Sequence, residues 1–259
     1  MANHLDNKVA AVTGGTRGIG YSIAEALLVE GARVFICGRN EASLRDALSR
    51  LQSPAVSGRR RDHPAGVDSA GAGRVDGAPA DVRHYQDCRR FIQGAVERFG
   101  GLDLLVNNAG IGIMKPVDQL TPEEWDATLE TNLSSAFYCS HEAIPVMRRR
   151  GGGYIFNISS LAGVNAFAGG AAYNASKFGL NGFSEALMQD VRYDGIRVSY
   201  IMAGSVDTGF AAAGSGGRRE APWKLTGEDV AQAVIDLCRF PPRALASRLE
   251  LRPSQPPRK

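Results

Sequence analysis

The residues with the clearest chemical potential are the tyrosine and lysine of Tyr173-Asn-Ala-Ser-Lys177. Four residues apart, a phenol and an ammonium share one face of a helix. The cation would favour the phenolate and draw the tyrosine below its ordinary pKa near 10, which would make it a usable proton exchanger at neutral pH. Alone, the pair is cheap. Seven tyrosines and five lysines in 259 residues give roughly 0.14 chance occurrences at helical-neighbour spacing, so its weight depends on what surrounds it.

A second candidate, Thr13-Gly-Gly-Thr-Arg-Gly-Ile-Gly20, follows the apolar run Lys8–Val12 and opens a helix pattern carried by Ile19, Ile23 and Leu27. A glycine-rich strand-to-helix turn brings backbone N–H groups and a helix N-terminus against a pyrophosphate. Gly14, Gly18 and Gly20 space as G-x3-G-x-G, which differs from the commoner G-x-G-x-x-G. Thr16, Arg17 and Ile19 complete the turn and are assigned to the same cofactor site.

The next apolar strand, Arg33–Cys37, runs into Gly38-Arg39-Asn40 with no acid before Glu41. A carboxylate there would bond a ribose 2′-hydroxyl and repel a 2′-phosphate. Arg39, with Arg17 in the glycine turn, suits a phosphate dianion by charge and fork geometry. The expected cofactor is therefore NADP(H) rather than NAD(H).

These groups need elements to hold them, and the rest of the chain supplies a regular alternation. Helices are expected over Glu41–Leu51, Tyr85–Phe99, Thr121 to Met147, Ala172 to Tyr193 and Thr226 to Arg239. Strands are expected at Asp103–Asn107, Tyr154–Ile158, Ile196–Ile201 and Arg248–Leu251, with a weak one near Val75–Ala80. Thr121-Pro122-Glu123-Glu124 reads as an N-cap, a first-turn proline and a capping-box acid. The stretch 53–80 is otherwise an irregular insertion, 207–223 a Gly/Ala-rich lid over substrate, and 252–259 a Pro-rich basic tail. No linker divides the alternation. The expected fold is a single α/β domain spanning 1–259, of the doubly wound Rossmann type, with a mainly parallel sheet of six to seven strands.

Composition excludes several other classes. With 44% hydrophobic and 22% charged residues the chain can bury a core, against global disorder. Thirty Lys and Arg against 27 Asp and Glu, a net +3, is too small an excess for a nucleic-acid surface. The clusters Arg59–Arg61 and Arg148–Arg150 read as solvated charge. Four scattered cysteines without a CxxC pair point to buried thiols in a cytoplasmic chain, not to disulfides, and the four histidines form no metal-ligand cluster. The polar segment Met1–Lys8 reads as no targeting signal. The uncharged stretch Gly151–Ser176 fails as a membrane span, because six glycines, three asparagines and three serines interrupt it.

Taken in order, the Thr13–Gly20 turn, Asn107-Asn-Ala-Gly110, Ser160 thirteen residues before Tyr173, and Tyr173-x-x-x-Lys177 resemble the short-chain dehydrogenase/reductase family, from about Lys8 to Thr208. The resemblance implies a nicotinamide cofactor and a catalytic Ser160–Tyr173–Lys177 centre, completed by Asn132. Tyr173 would be general acid in carbonyl reduction and general base in alcohol oxidation. Ser160 would stabilise charge on the carbonyl oxygen. The resemblance also has Lys177 hold the nicotinamide ribose and Asn132 position a water. It places Asp81 and Val82 near adenine, Asn108, Ala109 and Gly110 along the adenosine ribose, and Gly204, Val206 and Thr208 near the carboxamide.

The family's usual Pro-Gly after the sixth strand is Ala203-Gly204 here, and its glycine-rich close is replaced by Pro241-Pro242 and a basic tail. The implied partners are a small carbonyl or alcohol and further copies of the chain in a homodimer or homotetramer, with neither nucleic acid nor membrane. Ile111, Ile113, Met114, Leu161, Phe167 and Phe210 would favour an apolar ketone. Members acting on 3-oxoacyl groups of a carrier protein often present a basic residue before the fifth strand and another late in the next helix. Arg148–Arg150 meets the first condition, but the second position is Asp194, with Arg192 nearby. Two alternatives therefore stand beside a general carbonyl reductase: a 3-oxoacyl carrier-protein reductase, and a non-catalytic NADP-binding regulatory protein on the same fold.

Overall fold

Strand β1 (Val9–Val12) is buried at every position, because it lies in mid-sheet with helices on both faces. In the computed structural model, which describes residues 5–53, 73–208 and 222–257, seven parallel strands pair in the order β3-β2-β1-β4-β5-β6-β7. The others are β2 (Arg33–Gly38), β3 (Val75–Pro79), β4 (Leu104–Asn107), β5 (Gly153–Ser160), β6 (Ile196–Ala203) and β7 (Arg248–Leu251). The arginine cluster 59–61, most of the expected lid including Phe210, and much of the expected insertion lie outside the described residues.

Side-chain alternation divides the core. Ala10, Val12, Val34 and Ile36 face α1 (Gly18–Val29), α2 (Glu41–Leu51) and α7 (Gly227–Cys238) on one side of the sheet. Val9, Ala11, Phe35 and Cys37 face α3 (Tyr85–Phe99), α5 (Ser135–Arg149) and α6 (Ala171–Val191) on the other. The sheet order reverses direction between β1 and β4, and a crevice opens there beyond the strands' carboxyl ends.

Two expected elements take a different form. The helix expected from Thr121 to Met147 is two helices, α4 (Pro122–Leu129) and α5, joined by a π-helical turn at Glu130–Ser134. The Thr121–Glu124 capping box does form. The widened turn follows from a tertiary contact, because the side chain of Asn132 is held by the backbone of Ile111. The weak strand near Val75–Ala80 is a full edge strand, β3, pairing five residues with β2. Gly77, Ala78 and Pro79 give it little sequence signature, and an edge tolerates them.

Asp103 locks the opposite end of the sheet. Its carboxylate accepts from Val9 N at 2.9 Å and pairs with Lys8 at 3.2 Å and Arg150 at 3.1 Å.

Candidate active site

The first strand-to-helix turn is shaped by backbone that glycine alone adopts readily: Gly14 has φ +63° and Gly18 φ +56°. Gly20 is required for a different reason, since a Cβ there would lie 2.3 Å from the Gly14 carbonyl oxygen. The turn is braced from β4. Thr13 Oγ1 accepts from the N–H groups of Asn108 and Ala109 at 2.9 and 3.0 Å, and Asn108 Nδ2 donates to Thr13 O and Gly14 O at 2.9 and 3.2 Å. Arg17 occupies the N-cap of α1 without a side-chain cap bond, and no acid lies in the first turn. The helix therefore presents N–H groups that its own side chains leave unclaimed.

A cleft of about 370 Å³ runs from this turn to the end of β5. Of the expected cofactor residues, Gly14, Thr16, Arg17, Gly18, Ile19, Arg39, Asp81, Val82, Asn108, Ala109, Gly110, Tyr173, Lys177, Gly204, Val206 and Thr208 all line it. Gly20 and Asn132 stand behind the wall. Further lining comes from Cys37, Gly38, Asn40, Ser43, Ile111, Thr131 and Ser159. The signal for Asn40 and Ser43 was present in the chain: Asn40 caps α2 by accepting from Ser43 N at 2.9 Å, so this second helix start opens at the same end of the sheet as the first.

Charge in the cleft is unevenly distributed. Arg17 and Arg39 have no ion-pair partner among the described residues, whereas Glu41 leans out to Arg45 at 3.6 Å. The bidentate Arg83 guanidinium, at 2.5 Å, holds the Asp81 carboxyl below its ordinary range.

At the other end, Ser160 closes β5, and Tyr173 and Lys177 occupy successive turns at the start of α6. Ser160 and Tyr173 line the same stretch of the cleft, where the serine hydroxyl draws the phenol down. Lys177 is 4% exposed, and its Nζ donates to Ile158 O at 2.9 Å and lies 5.9 Å from the Tyr173 ring centroid. Burial pushes its ammonium down to about 8. Burial also raises the Tyr173 phenol, and the bond from Ser160 opposes that rise. The Lys177 ammonium is turned to the Ile158 carbonyl.

Asn132 works through the protein. Its Oδ1 accepts from Ile111 N at 2.8 Å, while Nδ2 donates to Ile111 O at 2.9 Å and to Ser176 Oγ at 3.0 Å. Both amide protons are spent on shaping the cleft wall and on tying the π turn to the residue before Lys177.

Residues 8–215 match the family model of the short chain dehydrogenases. An uncharacterized oxidoreductase of Staphylococcus saprophyticus is 30% identical over 249 residues, 96% of this chain and 98% of that one. Among solved structures, a metagenomic short-chain oxidoreductase in complex with NADP superposes with a TM-score of 0.78 at 31% identity, over 98% of this chain and all of the other. An alcohol dehydrogenase of the archaeon Thermococcus sibiricus, complexed with 5-hydroxy-NADP, gives 0.82 at 26% identity, over 97% and 99%. The chain belongs to the short-chain dehydrogenase family and is an oxidoreductase of that family. Among the described residues no helix is long and apolar enough to cross a membrane, and no group of three or more His, Cys, Asp or Glu is placed to hold a metal.

Proposed function

We propose that the protein transfers hydride between NADP(H) and a carbonyl or secondary alcohol, with Tyr173 as the proton-transfer group. The observation that carries this reading is the meeting of Ser160, Tyr173 and Lys177 at one end of a cleft whose other end is a glycine turn. The residues fit such a cofactor. The positive-φ turn and the uncapped start of α1 suit a pyrophosphate, and the guanidiniums of Arg17 and Arg39, which have no ion-pair partner among the described residues and line the cleft with Ser43, suit a 2′-phosphate. The NADP carried by the metagenomic relative supports the same choice.

When bound, the cofactor supplies the hydride and, once oxidised, a positive ring. The chain supplies everything else. In reduction Tyr173 must begin protonated, and its buried phenol does so. Its proton passes to the substrate oxygen as negative charge develops there, while the Ser160 hydroxyl donates a hydrogen bond to the same atom. Lys177, one helical turn from Tyr173, holds the strand end through Ile158. In oxidation the roles reverse, with Tyr173 accepting the alcohol proton.

The carrier-protein alternative is not favoured, because the two positions it depends on neutralise each other: Arg148 Nη2 pairs with Asp194 Oδ2 at 2.7 Å. NADPH oxidation should be followed across ketones, 3-oxoacyl thioesters, quinones and sugars, in wild type and in Tyr173→Phe. The variant should bind NADPH normally and lose about 10²- to 10⁴-fold in kcat. NADPH affinity without turnover anywhere in the panel would favour the non-catalytic reading instead.

A further inference from the structure

Tyr173 lies thirteen positions after Ser160, and the chain between them makes a 3-10 turn at Leu161–Gly163 and an irregular loop before α6 begins. Nothing in such a connection fixes the serine hydroxyl relative to the phenol by itself. Two buried asparagines do: Asn181 donates to Gly163 O at 3.1 Å, and Asn174 holds the residue that contacts the serine itself. Asn174, 7% exposed, points back into this segment, where its Nδ2 donates to Ala162 O at 2.7 Å and to Asn165 O at 3.1 Å and its Oδ1 accepts from Phe167 N at 3.3 Å. The fit is close: a Cβ on Gly170 would lie 2.4 Å from Asn174 Oδ1.

The residue gripped by Asn174 is also the one that holds the serine. Ala162 N donates to Ser160 Oγ at 3.1 Å. A path of hydrogen bonds therefore runs from Ser160 through both polar groups of residue 162 to Asn174, the residue next to Tyr173, and Ser160 and Tyr173 face the same cleft. Accepting from Ala162 N occupies one lone pair of Ser160 Oγ. The hydroxyl proton is thereby directed away from its own turn, toward the cleft.

We propose that Asn174 is a positioning residue of this enzyme: through Ala162 it fixes the rotamer of Ser160 and so aligns the serine hydroxyl with the Tyr173 phenol. The proposal rests on the catalytic reading above. Asn174 is not among the residues that line the cleft; on this proposal its effect passes through Ser160. Removing its amide strands two inward carbonyls without a donor and frees the serine to leave the geometry its chemistry needs.

The test is a double-mutant cycle, with NADPH oxidation measured on ethyl acetoacetate and 9,10-phenanthrenequinone as probes. Asn174→Ala should lower kcat about 10- to 100-fold, the scale of a small misplacement of a reacting group, and leave the NADPH Kd within roughly twofold. Introduced into Ser160→Ala, the same substitution should change kcat by less than about twofold, since the group it acts through is already gone. Hydrogen exchange needs no substrate and should show faster exchange in Asn174→Ala across residues 161–167, with β5 and the body of α6 unchanged. Unchanged exchange there, a retained kcat, or losses that multiply across the cycle would each overturn the positioning role. Should Tyr173→Phe keep its turnover, the catalytic reading itself fails, and the positioning role with it. An inactive Tyr173→Phe beside multiplying losses confines the failure to Asn174.

Discussion

The Lys177 ammonium donates to the main-chain carbonyl of Ile158, at 2.9 Å and two residues before Ser160, from a position with almost no solvent contact. A cation is here kept out of water without a carboxylate partner among the described residues. Burial moves it from an ordinary 10.5 to about 8, which corresponds to a cost of about 3 kcal/mol at neutral pH.

The sign of that cost gives the first prediction. Between the folded pKa near 8 and the unfolded value of 10.5, the unfolded chain binds more protons, so this group's contribution to stability rises with pH and is least favourable below 8. Lys177→Met should therefore abolish turnover yet raise stability at pH 7 by about 1–3 kcal/mol, with the gain shrinking toward pH 10. Urea unfolding at the two pH values measures it; a destabilised variant at pH 7 would show that the Ile158 bond outweighs desolvation.

Ser160 has its own pH signature. Its bond is what opposes the burial-driven rise of the Tyr173 phenol. Ser160→Ala should cost about 10²- to 10³-fold in kcat, as for loss of one donor to a developing oxyanion. In alcohol oxidation, which needs the phenolate, the midpoint of kcat/KM against pH should move to higher pH. A profile that keeps its midpoint would uncouple Ser160 from the phenol.

The proposed preference for NADP(H) rests on Arg39. Arg39→Asp removes from the cleft a guanidinium that has no ion-pair partner among the described residues and places a carboxylate near Asp81. Losing one charge-assisted hydrogen bond should reduce the NADPH-to-NADH ratio of kcat/KM by about 10- to 100-fold. Steady-state kinetics with both cofactors decides it, and an unaltered ratio would refute the assignment of the 2′-phosphate to this corner.

The turn itself tolerates little. A methyl group on Gly20 would meet the Gly14 carbonyl oxygen at 2.3 Å and Asn108 Nδ2 at 2.4 Å, and a backbone atom cannot swing aside as a side-chain end can. Gly20→Ala should lose about 1–3 kcal/mol of stability together with most of its NADPH affinity. Calorimetry on the free protein and a fluorescence titration would separate the two effects; normal behaviour in both would mean the turn can shift as a unit.

Much of this site is legible in the sequence, because its parts are local. Asn40, Thr121 with Glu124, and Thr226 announce helix starts within four residues, and each makes its side-chain cap. Gly14, Gly18 and Gly20 act within one turn, and Tyr173 and Lys177 share a helix face as their spacing requires. What escaped depends on partners distant in the chain. The π turn follows from Asn132 meeting Ile111, 21 residues away. The direction of the Lys177 ammonium is set by Ile158, 19 residues earlier, and the grip of Asn174 on Ala162 spans 12. β3 was faint because the sheet edge demands little of Gly77, Ala78 and Pro79, not because the strand is poorly paired.

The span of the cleft has a consequence for how the protein is made. Its lining begins at Gly14 and reaches Thr208, and β1, which carries the glycine turn, is paired to β4, more than ninety residues later. A growing polypeptide halted before Tyr173 would carry the phosphate turn yet lack the far wall of the cleft. A nucleotide held across the whole cleft would draw the late-made segments into the same equilibrium as the first strand.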